Sequence, residues 1–106
     1  MDRPVPFWDR SVILSDLTVH TRAHLVALLA VHPRLVVTSG RRSAERNRAV
    51  GGSPGSFHLT GRAVDLVGSR ALLRSAARTA RAQRLSARCT GPEEVIDEGD
   101  HLHIAW

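Results

Sequence analysis

His58 and Asp65 stand seven positions apart, with Gly61 between them, in the run Ser56-Phe57-His58-Leu59-Thr60-Gly61-Arg62-Ala63-Val64-Asp65. For the imidazole and the carboxylate to act together, the chain must turn tightly between them, and glycine is the residue that reaches the backbone angles such a turn requires. A divalent ion such as zinc takes neutral imidazole nitrogen and carboxylate oxygen together, and a catalytic zinc site uses three protein ligands with a fourth position open. The third ligand is expected at the far end of the chain, in Asp100-His101-Leu102-His103. Alternation along a strand would put His101 and His103 on one face, and Leu102 and Ile104 on the other.

A second element precedes this run. Ser39-Gly40-Arg41-Arg42 follows the apolar stretch Leu35-Val36-Val37-Thr38, and Asn47, Val50, Gly51 and Gly52 lie between the arginine and His58. With Ser-Gly-x-Arg, Ser-x-His-x-x-Gly-x-Ala-x-Asp and His-x-His in this order, the sequence resembles the zinc peptidases that cut D-amino-acid-containing peptides of bacterial cell walls. These are the D-alanyl-D-alanine carboxypeptidases, D,D-dipeptidases and phage L-alanyl-D-glutamate endopeptidases of the M15 family, which share a fold with the hedgehog signalling domain. The likeness runs from about Leu35 to Ile104.

The resemblance implies zinc ligation by His58, Asp65 and His103. It also implies a general base at Asp100, three residues before the last ligand, and an accessory His101 that orients substrate or stabilises the transition state. Glu98 competes with Asp100 for the role of base. Arg42 is expected to face the substrate carboxylate or the oxygen that gains charge, a task suited to arginine's fork of donors, and Ser56 to hydrogen-bond substrate. Family carboxypeptidases tend to carry glutamate where this chain has Asp100, and the phage endopeptidases aspartate. Cleavage between L-alanine and D-glutamate is therefore the expectation, with D-Ala-D-Ala carboxypeptidase as the alternative. Arg41 stands where the family usually has an aromatic.

At 106 residues the chain is expected to form one domain, whose modest core a bound metal would help to stabilise. Cys89 is the single cysteine, so neither an intramolecular disulfide nor a thiolate metal set is available, and it reads as a small buried hydrophobe. All 15 basic residues are arginine, against 10 acids, for a net charge of +5 with neutral histidines. Such a charge favours polyanions, either nucleic acid or a cell wall bearing carboxylates and anionic polymers. The N-terminus lacks the long apolar core and cleavage site of a signal peptide. No apolar run approaches the roughly 18 residues of a membrane span.

Read in order, residues 1–10 are an irregular lead in which Phe7 and Trp8 pack onto the domain, and Val12 to Leu14 a short strand. Ser15 or Asp16 caps a helix reaching Val31, stopped by Pro33, with Leu25, Leu28, Leu29 and Ala30 giving its second half a wide apolar arc. His20 and His24 lie one helical turn apart, but the zinc-protease form of that spacing needs glutamate where Thr21 stands. His32 is a surface or helix-end residue. Strands are expected at Leu35 to Thr38, Ala63 to Val67, Leu85 to Cys89 and His101 to Trp106. Helices are expected from Ser43 to Val50 and from Ser69 to Arg84, the latter with an outward row of Arg70, Arg74, Arg78 and Arg81. Thr90-Gly91-Pro92 is read as a turn. The glycines at 51, 52, 55 and 61 lack the lysine-serine or lysine-threonine ending of a phosphate loop.

The fold class expected is α+β, a small antiparallel sheet flanked by helices, hedgehog/DD-peptidase-like. The expected activity is zinc-dependent hydrolysis of a peptidoglycan stem peptide, by a monomer acting on the cell wall. Two other classes predict different behaviour. A domain that kept zinc without turnover would bind but not cleave, and a basic nucleic-acid-binding domain would show steeply salt-dependent binding without metal.

Overall fold

The computed structural model describes residues 14–83 and 91–106. The expected N-terminal lead, the strand expected over Leu85 to Cys89, and Thr90 lie outside the described residues. So does all of the expected first strand but Leu14, which opens a short 3-10 turn, Leu14–Asp16, instead.

The architecture is α+β, with three helices and one four-stranded sheet among the described residues. The helices are α1 (Val19–Val31), α2 (Ala44–Ala49) and α3 (Arg70–Ala82), and the strands β1 (Val36–Ser39), β2 (Ala63–Val67), β3 (Glu94–Asp97) and β4 (Leu102–Ala105). The sheet order is β1-β2-β4-β3, and each neighbouring pair is antiparallel. Alternation divides its two faces. Val37, Val64, Leu66, Leu102 and Ile104 join Leu25 and Leu28 of α1 and Leu73, Ala76, Ala77 and Ala80 of α3 in a single buried cluster. Asp65 and His103, the residues between those apolar ones, therefore point to the other face.

Helix α1 begins later than Ser15 or Asp16 would start it. The Leu14–Asp16 turn lies against Gly61, and Thr18 N–H donates to Gly61 O at 3.0 Å, which keeps the backbone extended at Thr18. Thr18 then caps the helix itself, its Oγ1 accepting from Thr21 N at 3.1 Å. Its apolar arc is also narrower than expected: Leu25 and Leu28 are buried and Leu29 partly so, whereas Ala30, Val26 and Val31 are exposed.

Helix α3 is capped by Ser69, whose Oγ accepts from Leu72 N at 3.1 Å, and it ends at Ala82, two residues before Arg84. Gln83 leaves the helix because its buried amide joins two other elements. Nε2 donates to His24 O at 2.9 Å, and Oε1 accepts from Trp106 Nε1 at 3.1 Å. Trp106 stacks on His24 with ring centroids 5.5 Å apart, and His24 Nδ1 meets His20 O at 2.9 Å. His24 is thus a core histidine, its pKa lowered by burial. His32 caps the end of α1 and joins Thr79 Oγ1 through Nε2 at 2.8 Å.

Strand β3 had no counterpart in the sequence reading. Only Val95 and Ile96 are apolar in Glu93-Glu94-Val95-Ile96-Asp97-Glu98, too short a signal to separate strand from loop. Pairing with β4 makes it an edge strand, with Ile96 opposite His103.

Gly61 ties these parts to the site, with φ +71° between His58 and β2. A Cβ there would stand 2.4 Å from Asp16 O. Gly61→Ala is expected to cost about 2 kcal/mol from the left-handed backbone alone, or roughly a 10 °C drop in Tm for a domain of this size. Calorimetry showing a Tm within about 2 °C of wild type would contradict this role of the turn.

Candidate metal centre

His58 sits in a 3-10 turn, Phe57–Thr60, whose start is set by Ser56 Oγ accepting from His58 N at 3.2 Å and whose end is Gly61. The side chain is almost wholly buried, and Nδ1 lies 2.7 Å from Gly40 O. A backbone carbonyl only accepts, so Nδ1 carries the proton and Nε2 presents a lone pair. That lone pair faces Asp65 Oδ1 at 3.2 Å.

Asp65 lies in β2 directly opposite His103 in β4. The same Oδ1 stands 3.2 Å from His103 Nδ1, while His103 Nε2 meets Glu94 Oε1 at 2.9 Å. One nitrogen of each imidazole and one carboxylate oxygen fall within 4.8 Å of one another. The far atom of each group has a separate partner: Gly40 O for His58, Glu94 for His103, and for Asp65 the guanidinium of Arg42, whose NH2 donates to Oδ2 at 2.9 Å.

The chemistry of this donor set fits a divalent cation. With the two histidines neutral and hydrogen-bonded outward, three lone-pair atoms converge and repel unless a proton or a metal lies among them. Two imidazole nitrogens and a carboxylate oxygen form a donor set typical of catalytic zinc. Each of the three side chains is also oriented by an outer partner, as metal sites require of their ligands.

Electrostatics agree with the geometry. Burial alone would raise the Asp65 carboxyl, but where a proton instead occupies the facing nitrogens of His103 and His58, their hydrogen bonds and ring charges outweigh burial and hold the group well below the usual carboxylate range. The hydrogen bond to Asp65 raises the pKa of His103 against an opposing effect of burial, and Glu94 adds to the rise. A protonated His103 is therefore the metal's competitor.

Arg42 comes from the segment after β1. Its backbone N donates to His58 O at 2.9 Å, and its side chain donates to Ser39 Oγ at 3.3 Å, Asn47 Oδ1 at 3.1 Å and Asp65 Oδ2. Asn47 in turn donates to Ser53 O at 2.7 Å, and Gly52 packs so closely on it that a Cβ would stand 2.0 Å from Asn47 Oδ1. The sequence reading aimed Arg42 at substrate. Its donors hold the Asp65 carboxylate, and the residue also borders the cavity.

An open cavity of about 470 Å³ adjoins the cluster, with the loop from Val50 to Phe57 on one side and Ile96, Glu98 and His101 on the other. Ser56 also lines it. In the β3–β4 connection Glu98 N donates to His101 O at 3.0 Å, across a turn formed by Gly99 and Asp100. Glu98 and His101 consequently face each other on the cavity side, whereas Asp100 stands at the turn's tip, 89% exposed, and is not among the lining residues. Asp100 Oδ1 accepts from His101 Nδ1 at 2.6 Å, and that contact lowers the Asp100 pKa. Glu94 is the site residue that sequence reasoning missed, because its link to His103 depends on strand pairing that β3's composition does not announce.

His58→Ala, Asp65→Ala and His103→Ala are each expected to lower zinc content and thermal stability together, since binding and folding are linked. Metal analysis finding full occupancy and unchanged melting in all three would remove the site. The raised pKa of His103 gives a pH signature as well. In the metal-free protein, its protonated form contributes stability that is fully present below the unfolded value of about 6.5 and lost as pH rises through the higher folded value. Zinc needs the neutral ring, so its affinity should climb through the same window, by up to about tenfold per pH unit for one released proton. A pH-independent affinity between pH 6 and 8, measured by chelator competition, would contradict this.

The matching of the chain to known proteins agrees with this arrangement. No curated protein and no solved structure is a significant match. The family model described as peptidase M15 matches residues 14–105, a span that includes the converging His58, Asp65 and His103, the Arg42 that holds them and the cavity beside them. The chain belongs to the peptidase M15 family.

Proposed function

We propose that this peptidase is a zinc enzyme acting on the bacterial cell wall, hydrolysing the bond between L-alanine and D-glutamate in the peptidoglycan stem peptide. The observation that carries the metal reading is the convergence of His58, Asp65 and His103 beside an open cavity in a chain of this family. His58, Asp65 and His103 would hold the zinc, which would supply Lewis acidity toward a carbonyl oxygen and lower the pKa of water to about 7.

The chain's own residues supply the rest. A general base must lie within reach of the attacking water and afterwards return the proton to the leaving amine. Glu98 lines the cavity and Asp100 does not, which favours Glu98 for that role. His101 borders the same cavity, with Nδ1 directed at the acceptor-only Asp100 carboxylate. In its doubly protonated form the ring offers Nε2–H to the oxygen that gains charge. Asp100 then acts by holding that ring.

The choice of bond rests on Arg42. A carboxypeptidase needs a cation for the terminal carboxylate beside the scissile bond. Among the described residues, Arg42 is the one arginine lining the cavity, and it is engaged with Asp65, Asn47 and Ser39. That favours cleavage inside the peptide over release of D-alanine.

Glu98→Gln should keep zinc and fold while losing at least about 100-fold in turnover, and Asp100→Asn should retain more activity than Glu98→Gln. The reverse order would return the base to Asp100. On a defined stem peptide, amidating the C-terminal carboxylate should change the rate less than about tenfold, or about 1.4 kcal/mol. Mass spectrometry that found D-alanine as the main product, with the amide uncut, would point to the carboxypeptidase. No chelator-sensitive cleavage of any stem peptide would leave a zinc-binding domain without turnover.

A further inference from the structure

Glu94 takes no part in the chemistry above, yet it touches a ligand. On β3 it shares a face with Ile96, whose partner across the strand pair is His103, so Glu94 reaches His103 on the diagonal. Its Oε1 stands 2.9 Å from His103 Nε2.

We propose that Glu94 is the positioning residue of the metal centre, fixing His103 in the tautomer whose Nδ1 lone pair joins His58 Nε2 and Asp65 Oδ1. The inference rests on the metal reading of the preceding section. Two carboxylates compete for the one proton of a neutral His103 ring, Glu94 at 2.9 Å from Nε2 and Asp65 at 3.2 Å from Nδ1. An ionised carboxylate only accepts, so a proton on Nδ1 would leave the Nε2 lone pair against Glu94. With Glu94 in place the proton sits on Nε2, and Nδ1 is open. Without it, Asp65 is the only carboxylate against the ring among the described residues, the proton moves to Nδ1, and the position a metal needs is blocked.

The two histidine ligands thus depend on different supports. His58 is fixed by Gly40 O, a main-chain atom that no side-chain substitution removes. His103 is fixed by a side chain on an edge strand. Metal retention should therefore be more sensitive to position 94 than its distance from the three ligand atoms suggests.

The test measures zinc affinity of the full chain by competition with a chromophoric chelator, and the His103 tautomer by nitrogen NMR of the zinc-loaded protein. Glu94→Ala is expected to weaken zinc binding about 10- to 100-fold, the usual range for an outer partner of a metal-bound histidine. Glu94→Gln, whose amide oxygen can still accept from Nε2, is expected to recover most of that loss and to keep the proton on Nε2. Wild-type zinc binding with Glu94→Ala within about twofold of it, or with both variants equally weakened, would overturn this inference alone. Should Glu94→Ala fail to fold, the wild-type spectrum still decides, because a His103 that ligates through Nε2 or carries its proton on Nδ1 contradicts the proposal. A wild-type chain that binds no zinc would overturn the metal reading and this inference with it.

Discussion

The pairing of Asp65 with His103 across β2 and β4 is the interaction on which the rest of the structure turns. It fixes a carboxylate in the middle of a sheet, mostly out of water, where an unpartnered charge would cost several kcal/mol even after relaxation. Domains of ordinary stability have only about 5–15 kcal/mol in all, so such a charge must be met. It is met by Arg42 on one oxygen and, on the other, by the proton or cation that must lie between it and the two facing imidazole nitrogens. Those partners need holding too, which accounts for much of the chain between Ser39 and Gly61. Ser39 and Asn47 hold Arg42, Ser53 holds Asn47, and Gly40 holds His58. Among the described residues, no buried side-chain polar atom lacks a partner.

The sheet separates stability from chemistry. Its apolar face is closed by α1 and α3, each fully buried leucine there contributing about 1.5–3 kcal/mol relative to exposure. The C-terminal end of α3 is fastened to the middle of α1 by Gln83, which joins His24 O to the indole of Trp106. With this face sealed, the polar face is free to carry groups that would be costly in a core. One register serves both purposes. A slip by one residue would turn Asp65 and His103 into the helices and Val64 and Ile104 toward the cavity.

Much of this was legible in the residues. The strand that delivers Asp65, the starts of α2 and α3 near Ser43 and Ser69, and the apolar face of α3 all follow from local patterns, because helix starts and periodicity are decided within a few residues. His58 and Asp65 could also be read from residue type and spacing, whereas the choice of His103 over His101 came from the family resemblance. Local pattern failed where the deciding partner is distant in sequence. Thr18 rather than Asp16 starts α1 because Gly61, more than forty positions away, takes the Thr18 amide. The bond from Arg42 to Asp65 was likewise hidden, because nothing in the arginine's own neighbourhood announces that carboxylate. Edge strand β3 was missed because pairing, not composition, makes it a strand.

The two acids near His103 differ in what the backbone around them allows. Counting back three residues selects Asp100, and such a count carries a role only if the intervening backbone is the same. Here Glu98 donates to His101 across only Gly99 and Asp100, so the reversal of direction falls within the counted residues. Continuing the ladder from Ile96 opposite His103 brings Glu98 opposite His101, with both side chains on the cavity face. Asp100, in the turn itself, belongs to neither strand and projects into solvent. Had the connection been longer, a residue three before the ligand would lie on β4 rather than in the turn, and the count would have selected a different environment. The acid nearest in sequence to the ligand thus supports its neighbour His101, while the acid on the opposite strand reaches the cavity.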